Sequence, residues 1–295
     1  MIAIASTIGI LLAVFLLGTA IEQLRPVEKE VNTRMFNTIY ASCVAILSAG
    51  LEPLAGLEIS YLMHGTHPII SLPVGGWRTA ASVFTLLVSK DAIDYSYHRA
   101  QHKFPILWAM HSFHHSDHAV NITTSQRHFW LERVLFLLIF YVPLGVVFAF
   151  SRTVALLYIL GAMFFSLFPH MNLRLEFGEW SWMMLGPQLH RLHHSSRAED
   201  YDRNFAGIFP IFDVIFGTYK HPSRGEFPPT GVGEEVHPSP IQALLWPVSD
   251  RSGFARHAFG YERAPSLPMV SIEAARTTNL STDECEVSTG VDTCC

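Results

Sequence analysis

The chain has 295 residues, of which 49 % are hydrophobic and only 15 % charged, against about 25 % charged in an average globular domain. A net charge of −5 and a mean hydropathy above zero exclude disorder, coiled coil, collagen and the basic surface needed to bind nucleic acid. The 16 histidines approach the 20 lysines and arginines in number, and imidazole is neither a core filler nor an efficient solubiliser, so the excess calls for a chemical reason. The cysteines supply none. Cys43 lies in an apolar run, Cys285, Cys294 and Cys295 lie in a polar tail, and no Cys-x-x-Cys pair exists.

In chain order, Met1–Ile21 carries no charge and is long enough to cross a hydrocarbon core of about 30 Å. A cleaved signal peptide is the rival reading, since Gly18-Thr19-Ala20 is small, but the basic leading segment of a signal is missing. Further apolar runs cover Met35–Leu51, Trp77–Ile93, Val134–Phe150 and Thr153–Pro169. The stretch 57–76 is apolar but broken by Gly65, Pro68, Pro73 and Gly75, which suits a re-entrant or interfacial segment better than a sixth span. Arg25, Lys29, Arg34, Arg99, Lys103, Arg127 and Arg133 fall on one side of the spans, and Arg78 and Arg152 on the other. The N-terminus is therefore expected outside, with 94–133 and 170–295 inside. The expected organisation is N-terminal transmembrane helices over 1–93, a catalytic region over 94–221 with a transmembrane hairpin at about 134–169, a C-terminal segment over 222–263, and a disordered tail over 264–295.

Nine histidines form a pattern. His98 and His102 stand four apart; His111, His114 and His115 form His-x-x-His-His; His190, His193 and His194 repeat it; His170 stands alone past the fifth span. Spacings of three and four place side chains one helical turn apart. Two spans separate His115 from His190, so both boxes return to the same face of the bilayer. Eight or nine nitrogens are too many for one tetrahedral ion and suit two metals. Imidazole alone does not choose among zinc, copper, iron and nickel. Hydrolytic zinc needs only three protein ligands, whereas an all-histidine metal pair at a membrane suits oxygen activation. Uncharged ligands call for oriented neighbours, and the candidates are Asp94, Asp117, His118, Asn121, His128, Glu132, Asn172, Asp202 and Asp213.

The run from His98-Arg-Ala-Gln-His102 through His111-Ser-Phe-His-His-Ser116, Arg127-His-Phe-Trp-Leu-Glu132, His170-Met-Asn172, His190-Arg-Leu-His-His-Ser195 and Phe212-Asp-Val-Ile-Phe-Gly-Thr218 resembles the fatty acid hydroxylase/sterol desaturase superfamily. The resemblance covers roughly 91–219 and departs where His128 falls one residue early, Phe129 replaces the family histidine, Phe212 stands for tryptophan, and Ala206-Gly207 adds a residue. It implies an all-α, multi-pass membrane helical bundle of four to five spans with a cytosolic histidine-lined helical cap. It further implies two iron ions held by His98, His102, His111, His114, His115, His170, His190, His193 and His194. The implied activity is hydroxylation or desaturation of a lipid, sterol or similar hydrophobe with O2. No flavin, haem or nucleotide motif is present, so a separate electron donor protein is expected. Neutral ligands imply loss of activity below about pH 6. The alternatives are a histidine-lined metal transporter, whose ligands should sit near the bilayer midplane, and a membrane zinc hydrolase, which should show His-Glu-x-x-His. The short chain, lacking an endoplasmic-reticulum retrieval signal, points to a bacterial inner membrane, with the active site facing the cytoplasm.

Overall fold

The computed structural model of the chain describes residues 2–29, 31–62, 67–232 and 238–249. The tail 264–295, His64, His237 and His257 lie outside the described residues. The first apolar runs form α1 (Ile2–Glu22), α2 (Arg34–Leu62) and α3 (Trp77–Lys103). Helix α2 passes the expected end at Leu51, because good helix formers resume after Pro53 (Leu54, Ala55, Leu57 and Glu58). The 57–76 stretch thus divides: its start belongs to α2, and 67–76 is non-helical, with a short strand at Ile70–Ser71 and a turn at Gly75–Gly76. Pro68 and Pro73 lack the amide hydrogen a helix needs, and Ile70–Ser71 (β1) instead pairs in parallel with Phe148–Ala149 (β2).

Helix α3 stops at Phe104, held extended by the following proline, and Pro105 opens α4 (Pro105–His115) at a position where its missing N–H costs nothing. The fourth apolar run is α5 (Trp130–Phe136), a π-helical turn at Leu137–Tyr141, and α6 (Val142–Val147). The π turn directly precedes Pro143, whose lack of a donor already breaks the hydrogen-bond ladder there. Ser151 caps α7 (Arg152–Leu167) through Val154 N at 3.3 Å, and a 3-10 turn carries that helix on to His170. Short helices α8 (Pro187–His193), α9 (Ile211–Phe216), α10 (Pro240–Leu244) and α11 (Trp246–Ser249) follow.

Among the described residues the architecture is helical apart from two strands of two residues each. Two helical stretches among the described residues, Trp130–Val147 and Arg152–His170, are long and apolar enough to cross a membrane. Outward-facing Leu156, Ile159, Leu160, Met163 and Phe164 on α7 are exposed, a larger apolar face than a soluble surface tolerates. Helix α3 carries Lys90, Asp91 and Asp94 in its middle.

Two apolar clusters frame the site. Tyr40, Val44, Met110, Phe113, Phe129 and Trp246 join α2, α4 and α11; Leu86, Leu87, Leu144, Val154, Tyr158 and Ile208 join α3, α6 and α7. Beside them runs a buried polar layer. Arg127 donates to Phe113 O (3.0 Å), Asn37 Oδ1 (3.0 Å) and Ser116 Oγ (2.8 Å). Asp117 accepts from Asn37 (2.9 Å) and Thr124 (2.6 Å). These charge-assisted bonds from Arg127 and to Asp117 hold the end of α4 in place.

Candidate metal centre

The nine patterned histidines converge at one place. His98, His102, His111, His115 and His193 bring five ring nitrogens within 4.8 Å of one another, and His114, His170, His190 and His194 bring four more together in the same way. Helix phase explains the division. Residues four apart are turned by about 40° and residues three apart by about 60° the other way. The pairs 98/102, 111/115 and 190/194 each stay within one group, while His114 and His193 cross to the other. Each His-x-x-His-His box therefore serves both groups.

Hydrogen bonds set the tautomers. His98 Nδ1 donates to Phe205 O and His193 Nδ1 to Arg203 O, both at 2.8 Å, which leaves each Nε2 a bare lone pair, buried and without a hydrogen-bond partner. His170 Nδ1 donates to Ser166 O at 2.8 Å, and its Nε2 faces His114 Nε2 at 3.1 Å and His190 Nε2 at 2.9 Å. His194 Nε2 and His190 Nε2 are 3.2 Å apart, as are the Nε2 atoms of His102 and His115. Nitrogens about 2.0–2.1 Å from a shared ion stand about 3 Å apart. Buried lone pairs facing one another without donors are costly, and a cation at their centre satisfies them, so the donor set fits two metal ions. Burial also favours the neutral form of these rings: desolvation pulls His98 down to about 3 and His114, His115, His190, His193 and His194 well below the ordinary histidine range, and it lowers His111 against the opposing pull of Glu132.

The loop 203–209 supplies the two orienting carbonyls and is itself fixed by two carboxylates. Asp213 accepts from Phe205 N (2.7 Å), Ala206 N (2.9 Å) and Thr218 Oγ1 (2.7 Å). Asp91 accepts from Gly207 N (2.8 Å), Ile208 N (2.9 Å) and Phe209 N (2.6 Å). A side chain at Gly207 would run into the Asp94 carboxylate. Sequence reasoning named Asp213 and missed Asp91; an acid inside an apolar run was the available signal.

The remaining candidates are placed as follows. Glu132 is fully buried, accepts from Gln101 Nε2 at 3.0 Å, and lies 3.4 Å from His128 Nδ1 and 3.6 Å from His111 Nδ1. His128 stacks on His114 with centroids 4.3 Å apart, so its shifted position still reaches the site. Asp94 pairs with Lys90. Asn121 caps the 3-10 turn Ile122–Gln126 and joins Asp117 in the polar layer. Asn172 Oδ1 binds Val27 N and Glu28 N, tying the chain after His170 to the linker after α1. His118 packs on Gly231, and Asp202 is largely exposed, 3.5 Å from His102 Nδ1. A cavity of about 270 Å3 opens onto His98, His111, His114, His128, His170 and His190.

Residues 83–218 match the family model described as fatty acid hydroxylase. Among curated proteins, the alkylglycerol monooxygenase of Xenopus tropicalis is 28 % identical over 166 residues, covering 56 % of this chain and 36 % of that protein. The alkylglycerol monooxygenase of Danio rerio is 31 % identical over 185 residues (60 % and 40 %). Ornithine lipid hydroxylase OlsE of Rhizobium tropici is 25 % identical over 175 residues (59 % and 52 %). The chain spans about a third to a half of the length of these relatives. No solved structure matches it. The histidine boxes, the loop that orients them and the cavity before them all fall within or beside residues 83–218, the segment that matches the fatty acid hydroxylase model and that the alkylglycerol monooxygenases and the ornithine lipid hydroxylase resemble.

Proposed function

We propose that this chain is an integral-membrane di-iron oxygenase that hydroxylates or desaturates a lipid using O2 and electrons from a separate donor protein. The observation that carries the reading is the division of nine histidines, seven of them buried and two half-buried, into groups of five and four, each sufficient for one ion. The named relatives support the substrate class: two act on alkylglycerol and one on ornithine lipid. The histidines would hold two irons, which supply the reductive activation of O2; in a hydroxylation one oxygen atom enters a C–H bond and the other leaves as water, with two electrons and two protons from the donor.

The chain's own residues do the rest. Arg203 O and Phe205 O fix the rings of His193 and His98, Ser166 O fixes His170, and Phe136, Phe140 and Phe165 line the approach with surface that excludes water and accepts an alkyl chain. The catalytic segment is 94–221, carried on four to five spans with its histidine cap facing the cytoplasm, in a bacterial inner membrane. The positive-inside distribution of Lys and Arg supports that orientation.

Purified protein is expected to carry two irons per chain, and His114→Ala to lose both metal and oxygenation. One zinc per chain, with O2 consumption indifferent to the substitution, overturns the reading. A reporter fused after Tyr219 is expected to read cytoplasmic.

A further inference from the structure

The cavity before the histidines has a second polar feature that the oxygenase reading leaves unused. Lys90 and Asp94 line the same wall as His98. The three stand four residues apart on α3, hence on one face, with steps of about 6 Å along the axis. The bland reading of Lys90, at the end of the third apolar run, is a lysine reaching out to head-group water. Its geometry differs. Lys90 Nζ is turned onto Asp94 Oδ2 at 2.8 Å and lies over the Phe140 ring, 5.4 Å from its centroid, on the cavity wall. Tyr141 and Tyr158 line the cavity as well. Ionisable side chains at this depth are expensive and are kept for a ligand or a pathway.

The pair dictates what it can hold. The pair is net neutral, and the neighbouring Asp91 carboxylate is already taken up by three backbone amides, so a charged head group would leave one charge uncompensated in a chamber otherwise lined by aromatic, aliphatic, imidazole and amide groups. After the contact with Asp94, the ammonium still has N–H groups to donate and the carboxylate has lone pairs to accept with. The complement is an uncharged group that both donates and accepts, and the smallest such group is a hydroxyl. A cavity of about 270 Å3 lies at the small end of ligand sites, room for one chain and not two.

Resting on the oxygenase reading, we propose that Lys90 and Asp94 form the head-group subsite for an uncharged, hydroxyl-bearing, single-chain amphiphile. Its spacing along α3 places the carbon presented to the histidines roughly 6–12 Å from that head, on the first part of the chain and not at its far end.

The test uses the full chain in lipid nanodiscs, with displacement of a bound fluorescent alkyl probe by monolauroylglycerol, lauric acid, dodecyltrimethylammonium or dodecane at equal membrane mole fraction. Monolauroylglycerol is expected to displace the probe at about tenfold lower mole fraction than the other three. Lys90→Met and Asp94→Asn should each bring it within about twofold of dodecane, and Lys90→Arg should keep the preference. The double variant Lys90→Met/Asp94→Asn leaves no unpaired charge and serves where a single variant fails to fold. Equal displacement by all four compounds, preference for lauric acid, or a preference that survives the double variant overturns the subsite. Iron is measured on the same samples: two irons without head-group preference overturn the subsite alone, and preference without iron overturns the oxygenase reading alone.

Discussion

The two histidine groups are built by different means. In the group of five, two rings are oriented from outside their own helices by carbonyls of the loop 203–209, and that loop hangs on Asp91 of α3 and Asp213 of α9. In the group of four, His170 is oriented by Ser166 O, one turn back in its own helix, and the rings face one another through their Nε2 atoms. One group depends on long-range backbone placement, the other on local helix geometry. Damage to a distant carboxylate should therefore separate them.

The largest expected effect strikes both groups. Seven rings outside the membrane-crossing stretches have pKa values depressed by burial, so the unfolded chain binds more protons than the folded one below about pH 6.5. Stability is present above that pH and is lost as pH falls, at about 1.4 kcal/mol per pH unit for each ring. Metal-free protein should therefore show a melting temperature that falls steeply between about pH 6.5 and 5, and iron-loaded protein a shallower fall; a flat profile of the metal-free form contradicts the neutral cage. This refines the expectation of failure near pH 6. Intact, the rings resist protonation well below that value, and acid acts by opening the cage.

Next in size, Asp91→Ala frees the three amides it holds and should weaken metal binding by about 10- to 100-fold. The loss should fall on the group of five, so iron titrations of the variant are expected to saturate near one ion per chain. Uniform loss of both ions erases the distinction drawn above. Asp213→Asn keeps one acceptor oxygen and should fall between Asp91→Ala and the unaltered protein in the same titration. Smallest is Gly207→Ala, where the new methyl meets the Asp94 carboxylate; a cost of about 1–3 kcal/mol is expected, read as a lowered melting temperature with both ions retained.

Much of this site was legible in the sequence, and the illegible part has a physical reason. The spacing of His98/His102, His111/His114/His115 and His190/His193/His194 announced a clustered set of imidazole donors because helix periodicity is local. The split of each box between the groups follows from the same periodicity and could have been worked out from the numbers alone. The carbonyls of Arg203 and Phe205, and the loop that Asp91 holds, could not. Backbone oxygens leave no mark in side-chain identity, and although Arg203 O is only 10 residues from His193, Phe205 O meets His98 and Asp91 meets Gly207 across more than a hundred. The fold shows the same divide: the apolar runs gave the helices, while the pairing of Ile70–Ser71 with Phe148–Ala149 depends on a long-range register that no local pattern encodes.

The straddling boxes have a consequence for how this chain can change its length. Within a box, phase acts as a rigid ruler: one residue inserted between His111 and His114 would turn every later ring on α4 by about 100°, sending His114 and His115 to the wrong partners. Between the boxes no such ruler operates, since His115 and His190 are brought together by packing and not by count. Insertions in the surface segment 173–184 should leave the ligand geometry intact, so tolerance to length change is expected to follow the helices that carry the boxes and not distance from the metals.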